Sequence, residues 1–348
     1  MDSLNICIIG GLPRAINSTG LQTLNEAMAR QLVKMGHTVE VLIPLKKGFT
    51  KLQTVGRIDI PGVKITDVYD LESRTSQAIE PLRDAALRMM LEPYDFVIIS
   101  DVALDFARII RAAGRGRAIV WTHGMQCSPF DIWDGAELKT HNAKYVCISR
   151  AHYNEAVRLG FKEQSVMIHV PAPASPQEVL PAGGRCVAIG SLCKRKCYDD
   201  IAKIAAALQQ PVDVYGDVQS TEVLALVEAS PWLEYKGKLP HGELLEAIRG
   251  ADFMIHTARH EGFPVAVREA NGLGVPIISL DISLYRDNGV DPARNVLLPF
   301  RGDIAAALAA ADLKALRSIK NRRALAKETS EKCGPGAFGV KLSALLGK

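Results

Sequence analysis

Short runs of apolar, mostly β-branched residues alternate along this chain with longer segments in which apolar residues recur every three or four positions. Such alternation predicts parallel β-sheets whose strands are connected by helices. The clearest helix is predicted between Leu21 and Met35, where the apolar positions make one face. Gly36 stands where a glycine commonly ends a helix, which supports this boundary.

The apolar runs predict strands in both halves of the chain. In the first half they are Asn5–Ile9, Thr38–Ile43, Phe96–Ile99, Ala118–Trp121 and Tyr145–Ile148. In the second half they are Arg185–Ile189, Val212–Tyr215, Phe253–His256, Pro276–Leu280 and Val296–Leu298.

A proline- and glycine-rich stretch, PAPASPQEVLPAGG at 171–184, separates the two halves and can continue neither a strand nor a helix. We therefore predict an N-terminal domain at 1–172, a linker at 173–184 and a C-terminal domain at 185–348, with the last helices packing back on the first domain. The fold class is α/β, with two Rossmann-like, doubly wound domains. Ligands of such sheets bind beyond the carboxyl ends of the strands, so loops of both domains are expected to face a central cleft.

Composition narrows the function classes. The net charge of +4 suits anionic small molecules and permits peripheral contact with anionic lipid, but it indicates no specific nucleic acid. The seven cysteines include no C-x-x-C pair, which favours reduced thiols over a zinc site. No apolar run is long enough to span a bilayer, and the acidic start is unlike a secretory signal, so a cytoplasmic location is expected.

The segment that follows the predicted strand Phe253–His256 carries the strongest chemical signal. A short loop begins at Glu261 and leads through Pro264 into a helix that contains Glu269. Proline suits the first turn of a helix, and the amides of that turn attract anions. One acid is thus expected in the loop and the other along the helix.

Three further clusters follow predicted strands. Lys194, Arg195 and Lys196 come soon after Gly190 and are expected to bind phosphate. His123 follows Ala118–Trp121 and precedes a glycine, where a functional role is favoured over a structural one. The glycine-rich loop after the first strand carries polar residues that suit phosphate or an acceptor, namely Arg14, Asn17, Ser18 and Thr19.

Competing motifs fail. The pair His256 and His260 is not an H-E-x-x-H zinc motif. The sequence Gly10–Pro13 is not the G-x-G-x-x-G fingerprint of dinucleotide enzymes. No D-x-D triplet occurs in the chain, so we expect no metal and no cofactor.

The stretch 261–269 resembles the E-x7-E signature of the retaining GT-B glycosyltransferases of family 4 (GT4). The resemblance extends over nearly the whole chain. Further matching segments are Gly10-Gly11, Gly20, Gly36-His37, Gly216-Asp217, Tyr235–Gly237 and Gly274–Ile277.

The resemblance implies a role for each matching residue. Glu269 would accept hydrogen bonds from the donor ribose, and Glu261 with the following loop amides would bind the transferred sugar. Lys196 would bind the donor pyrophosphate, and His123 would lie beside the donor sugar. The other implied donor-binding residues are Gly11, Gly190, Gly216, Gly262, Phe263, Pro264 and Val265.

One departure from the family concerns the second cation on the pyrophosphate. The family's arginine position holds Ser191 here, and either Lys194 or Arg195 would have to replace it. The resemblance implies a retaining, metal-independent transfer of sugar from a nucleotide-sugar, UDP- or GDP-linked, to a hydroxyl acceptor. A sugar-nucleotide hydrolase or epimerase of the same fold is an alternative, and Ser191 motivates another, a non-catalytic sugar-nucleotide-binding subunit.

Overall fold

The computed structural model describes residues 2–12, 20–45, 59–69, 80–100, 106–121, 136–173, 178–261 and 263–347. The chain divides into two compact units. The first contains Met1–His169 together with Phe338–Lys348, and the second contains Val170–Ala337. The sequence had placed the end of the first domain at residue 172 and the start of the second at 185. It had assigned the C-terminal residues to the second domain, with the last helices packing back on the first.

The described part of the first unit is built on a seven-stranded parallel sheet with the order β3-β2-β1-β4-β5-β6-β7. Its strands are β1 Asn5–Ile9, β2 Thr38–Leu45, β3 Val63–Tyr69, β4 Phe96–Ile99, β5 Ala118–Trp121, β6 Lys144–Cys147 and β7 Ser165–Met167. Its helices are α1 Gly20–Lys34, α2 Glu80–Leu91, α3 Phe106–Ala113, α4 Ala136–Thr140 and α5 Arg150–Arg158.

The second unit repeats this plan in a six-stranded parallel sheet with the order β10-β9-β8-β11-β12-β13. Its strands are β8 Cys186–Ile189, β9 Val212–Tyr215, β10 Leu233–Gly237, β11 Met254–His256, β12 Ile277–Leu280 and β13 Val296–Leu298. Its helices are α6 Tyr198–Leu208, α7 Thr221–Ala229, α8 His241–Arg249, α9 Val265–Gly272, α10 Ser283–Arg286, α11 Ile304–Ala310, α12 Leu313–Leu316, α13 Ile319–Cys333 and α14 Pro335–Leu345, which continues into the first unit.

Both sheets contain the doubly wound strand order, in which the chain direction across the sheet reverses between two central strands. The reversal falls between β1 and β4 in the first unit and between β8 and β11 in the second. The predicted α/β fold class is confirmed. Ligands bind at such reversals because neighbouring loops diverge there and leave a crevice.

Strand burial explains why the sequence predicted the central strands well. Ile6, Cys7, Ile8 and Ile9 of β1 are fully buried, since helices cover both faces of a parallel sheet. The predicted bounds are confirmed for β1, β4, β5, β9 and β13. The strands β3, β7 and β10 were not predicted.

The cysteine prediction also holds for the described residues. Cys7, Cys147 and Cys186 are free and buried within strands, where burial raises the pKa of the Cys147 thiol to about 12. They therefore act as small apolar side chains. Among the described residues, no helix has the length and apolar character needed to cross a membrane.

Candidate functional site

The loops after β8 and β11 meet at the strand reversal of the second sheet. Thr257, the first residue after β11, donates its hydroxyl to the carbonyl oxygens of Lys196 and Cys197, each at 3.0 Å. This contact ties the basic loop to the loop that leads to Glu261. Residues separated by about sixty positions in the sequence are thereby fixed side by side.

Two glycines shape the bottom of this crevice. Gly190 has a φ of +146°, and a Cβ there would lie 2.8 Å from Cε of Lys196. A Cβ on Gly216 would lie only 1.9 Å from the carbonyl oxygen of Gly190. The hydroxyl of Tyr198 donates to that same carbonyl oxygen at 2.8 Å. Both glycines are thus required by close approach, and Gly190 also leaves room for the Lys196 side chain.

The three cations after β8 form a single 3₁₀ turn, Lys194–Lys196, so their side chains leave it in three directions. Lys194 extends outward to an exposed ion pair with Glu222 at 2.8 Å. Arg195 and Lys196 instead both turn to Glu261, whose Oε1 lies 2.9 Å from Nη1 of Arg195 and accepts a hydrogen bond from Nζ of Lys196. Two of the predicted cations therefore converge, and the third does not.

Glu261 is a buried carboxylate, with 9% of its side chain exposed. Burial by itself raises the pKa of its carboxyl group, but the neighbouring His256, Lys196 and Arg195 more than compensate, so that pKa lies below its ordinary value. The carboxylate is therefore charged at neutral pH. An acid held charged inside a crevice by two cations is typical of a functional site.

Ser191, which stands at the family's arginine position, faces a different acid. Its hydroxyl donates to Oδ1 of Asp217 at 2.7 Å, and Gln219 donates to Oδ2 of the same carboxylate at 3.0 Å. Although burial opposes them, these hydrogen bonds lower the pKa of Asp217. Ser191 thus joins the loops after β8 and β9.

Glu269, the second acid of the pair, lies in α9, which begins immediately after Pro264 as predicted. Its side chain is buried, and its Oε1 is 2.7 Å from Nε2 of His241, the first residue of α8. Neither Glu261 nor Glu269 is an ordinary surface glutamate. His241 was not predicted as a site residue, because no sequence pattern relates it to Glu269, 28 positions away.

The loop between the two acids is held by packing. The guanidinium of Arg268 lies 5.3 Å from the ring centre of the buried Phe263 and donates to the carbonyl oxygen of Asn288 at 2.7 Å. Val265 is half-buried at the start of α9. These contacts of Arg268 with Phe263 and Asn288 hold the turn between β11 and α9 in place.

Two buried residues of the site, His256 and Tyr285, were not predicted as site residues from the sequence. His256 was weighed only as part of a zinc motif, yet it ends β11 and its Nε2 lies 3.4 Å from Nζ of Lys196. Tyr285 in α10 lies 2.9 Å from the other ring nitrogen. Burial, reinforced by the charge of Lys196, lowers the pKa of His256 to about 4. The signal that was available for His256 is its position, since it is a polar residue at the carboxyl end of a strand.

A second cluster beside the basic turn could be taken for a metal site. Cys197, Asp199 and Asp200 have ligand atoms within 4.8 Å of one another. Asp200, however, already pairs with Arg259 at 2.6 Å and with Lys203 at 3.1 Å. Its charge is balanced by these cations, so the cluster anchors the start of α6.

The remaining predicted residues fall elsewhere. Gly11 follows β1 in the first unit, where its carbonyl oxygen accepts a hydrogen bond from Asn25 at 2.8 Å. The other predicted site residues lie outside the described part of the chain, namely Arg14, Asn17, Ser18, Thr19, His123 and Gly262.

Solved structures similar to this one define its fold. The TarM protein of S. aureus, in a complex with fondaparinux, alpha-GlcNAc-glycerol and UDP, matches with a TM-score of 0.73 and 9% identity over 99% of this chain and 100% of that one. The pneumococcal O-GlcNAc transferase GtfA, in complex with UDP and GlcNAc, matches with a TM-score of 0.72 and 12% identity over 100% of this chain and 99% of its own. Together with the two doubly wound sheets, these matches establish a GT-B fold.

The family model that matches this chain does so within the second unit. Residues 186–332 match the model of the family described as Glycosyl transferases group 1. A GDP-mannose-dependent alpha-mannosyltransferase of Mycobacterium tuberculosis (strain CDC 1551 / Oshkosh) is 31% identical over 134 residues, which span 37% of this chain and 35% of the relative. The residues that match this family model include Lys196, Glu261 and Glu269 of the site described above.

Proposed function

We propose that this protein is a retaining glycosyltransferase of family GT4 that moves a sugar from a nucleotide-sugar to a hydroxyl acceptor without a metal ion. The observation that carries the proposal is the convergence of Lys196 and Arg195 on the buried carboxylate of Glu261 at the strand reversal of the second sheet. Two preorganised cations beside a buried acid suit a donor whose leaving group is a diphosphate and whose sugar carries hydroxyls.

The proposed roles follow the geometry. Lys196 and Arg195 bind the diphosphate, and Arg195 thereby takes the part of the arginine that Ser191 replaces. Lys194 has no such role, because its side chain is 76% exposed and extends to Glu222. Glu261 exchanges its ion pairs for the hydroxyls of the transferred sugar. Glu269, held in α9 by His241, accepts from the vicinal hydroxyls of the ribose.

The reaction breaks the bond between the anomeric carbon and the oxygen of the leaving phosphate and forms a bond from that carbon to the acceptor oxygen. Negative charge develops on the leaving diphosphate, where the two cations stabilise it. In the proposed retaining course, the leaving phosphate takes the proton of the acceptor hydroxyl on the same face of the sugar. The protein then needs no general base.

The donor is proposed to be a UDP- or GDP-sugar. Solved relatives of the same fold contain UDP, among them the Anabaena protein HepE in complex with UDP and glucose, with a TM-score of 0.69 and 12% identity over 99% of this chain and 100% of that one. The mannosyltransferase relative is described as GDP-mannose-dependent. The solved structures and the mannosyltransferase thus support different bases, and the proposal includes both.

The experiment that tests the proposal is a panel of UDP- and GDP-sugars screened by thermal shift, followed by turnover with the donors that bind. A donor at 100 times its Kd is expected to stabilise the protein by about 2.7 kcal/mol. With added hydroxyl acceptors, mass spectrometry should detect a glycosylated product. Free sugar as the sole product would support a hydrolase, and tight binding with no turnover against any acceptor would support a non-catalytic subunit.

A further inference from the structure

His256 contacts the ammonium group of Lys196. The imidazole is buried at the end of β11, with 3% of its side chain exposed, and Nε2 is 3.4 Å from Nζ of Lys196. The nearer carboxylate oxygen of Glu261 is 3.9 Å from the same nitrogen. Nε2 is therefore closer to the ammonium than to the carboxylate.

The hydrogen bonds of Tyr285 determine which ring nitrogen of His256 bears the proton. The single hydroxyl proton of Tyr285 faces the carbonyl oxygens of His256 and Ala258, at 2.8 and 2.9 Å, which can only accept. The phenolic oxygen must then accept from Nδ1 of the imidazole, 2.9 Å away. Nδ1 carries the proton, and Nε2 presents a lone pair to Lys196.

Lys196 is thus held by two acceptors of different charge. Its aliphatic chain passes over Gly190, where a Cβ would lie 2.8 Å from Cε, and its ammonium donates to Glu261 on one side and to Nε2 of His256 on the other. An ammonium group has three donors and no acceptor. One donor therefore remains for an incoming anion.

We propose that His256 is a positioning residue for donor binding, which keeps the ammonium of Lys196 in place for the diphosphate when Glu261 turns to the sugar. The inference rests on the proposed function. In this proposal Glu261 binds two partners in turn, Lys196 before the donor binds and the sugar hydroxyls afterwards. A neutral imidazole holds the ammonium throughout without cancelling the charge that attracts the diphosphate.

Two substitutions separate the two ring nitrogens. In His256→Gln the longer amide reaches the position of Nε2 and keeps an acceptor for Lys196, whereas in His256→Asn the shorter amide reaches only the position of Nδ1. Binding of UDP and GDP is measured by isothermal titration calorimetry, with melting temperatures as the check on folding. Loss of one hydrogen bond to a charged group predicts about tenfold weaker binding for His256→Asn. His256→Gln should stay within about threefold of the unaltered protein, by the same hydrogen-bond arithmetic.

A spectroscopic readout tests the tautomer without any ligand. Nitrogen NMR of protein labelled at its histidines should show one ring with Nδ1 protonated and Nε2 unprotonated, assigned by its absence in His256→Gln. Tyr285→Phe removes the acceptor for Nδ1, so this ring should lose its single tautomer. Lys196→Met should shift the Nε2 resonance, since it removes the donor.

The outcomes distinguish this inference from the proposed function. If Lys196→Met weakens nucleotide binding while His256→Asn and His256→Gln bind alike, the positioning role is wrong and the donor site stands. If the ring carries its proton on Nε2, the inference is also overturned, whatever the variants bind. If Lys196→Met leaves UDP and GDP binding unchanged, the proposed donor site itself fails.

Discussion

A Cβ at position 190 would meet the side chain of Lys196 at 2.8 Å, so the absence of a side chain on Gly190 is what lets Lys196 reach Glu261. Gly190→Ala should therefore displace the ammonium and weaken binding of UDP or GDP about tenfold, the effect of one lost charged hydrogen bond. A left-handed or otherwise positive φ also costs alanine about 1–2 kcal/mol of stability.

Gly237→Ala is the matched control for that prediction. Gly237 also has a positive φ, of +84°, but a Cβ there would meet nothing within 4 Å. It should lose stability by a similar amount and keep its nucleotide affinity. Calorimetric titration with denaturant melts on both variants checks this, and equal affinity in the two would contradict the account.

The basic turn yields a second prediction, because its cations point in different directions. Lys196→Ala should lower the transfer rate about 100-fold, since removing one preorganised group that stabilises developing charge costs about 3 kcal/mol. Lys194→Ala should stay within about twofold, because exposed ion pairs such as its contact with Glu222 contribute little.

Steady-state rates with the best donor of the panel measure both effects. A loss of less than tenfold for Lys196→Ala would remove Lys196 from the diphosphate. A larger loss for Lys194→Ala than for Arg195→Ala would reverse the assignment of the second cation.

Glu269 offers a third prediction that separates ribose from phosphate. Glu269→Gln keeps the size of the side chain but removes the charge that accepts from two hydroxyls. Binding of UDP or GDP should weaken about tenfold, while binding of inorganic pyrophosphate should change less than about twofold. Titration with the nucleotide and with pyrophosphate on the same variant makes the comparison. Equal loss for both ligands would mean that Glu269 supports the whole site and does not bind ribose.

A fourth prediction concerns pH. The pKa of His256 is about 4 in the folded protein, against an ordinary value of 6.5 in the unfolded chain. Between these values the unfolded chain binds the additional proton, so stability is complete above pH 6.5 and declines as the pH falls towards 4. The loss between pH 7 and pH 5 should be about 2 kcal/mol.

Urea unfolding at the two pH values checks this effect, with His256→Gln as the control. The variant lacks the titrating group, so its stability should fall less over the same interval. An identical fall in both proteins would show that His256 does not titrate in this way. Glu261 does not confuse the test, because its lowered pKa places its own loss of stability at lower pH.

The sequence predicted the sheets where burial leaves a strong pattern. Central strands such as β1 are apolar at nearly every position because both faces are covered. The three strands that were missed, β3, β7 and β10, all lie at sheet edges. The edge strand β3, VKITDVY, mixes polar and apolar residues, and Tyr235–Gly237 of β10 was noted only as a segment that matches the family.

The candidate site was predictable where a motif carried it and not where the fold assembles it. Glu261, Glu269 and Lys196 follow from a contiguous pattern. The choice between Lys194 and Arg195 depends on how a 3₁₀ turn directs adjacent side chains. The amino-acid sequence alone does not show these directions. His241 and Tyr285 reach the site only because the fold brings α8 to Glu269 in α9 and α10 to His256 at the end of β11.

The most direct test of the central claim is a crystal structure of the protein with UDP or GDP, whichever binds more tightly. The proposed donor site requires the diphosphate within hydrogen-bonding distance of Lys196 and Arg195, and the ribose hydroxyls on the carboxylate of Glu269. A nucleotide bound away from these three residues, with Lys196 and Glu261 still paired, would contradict it.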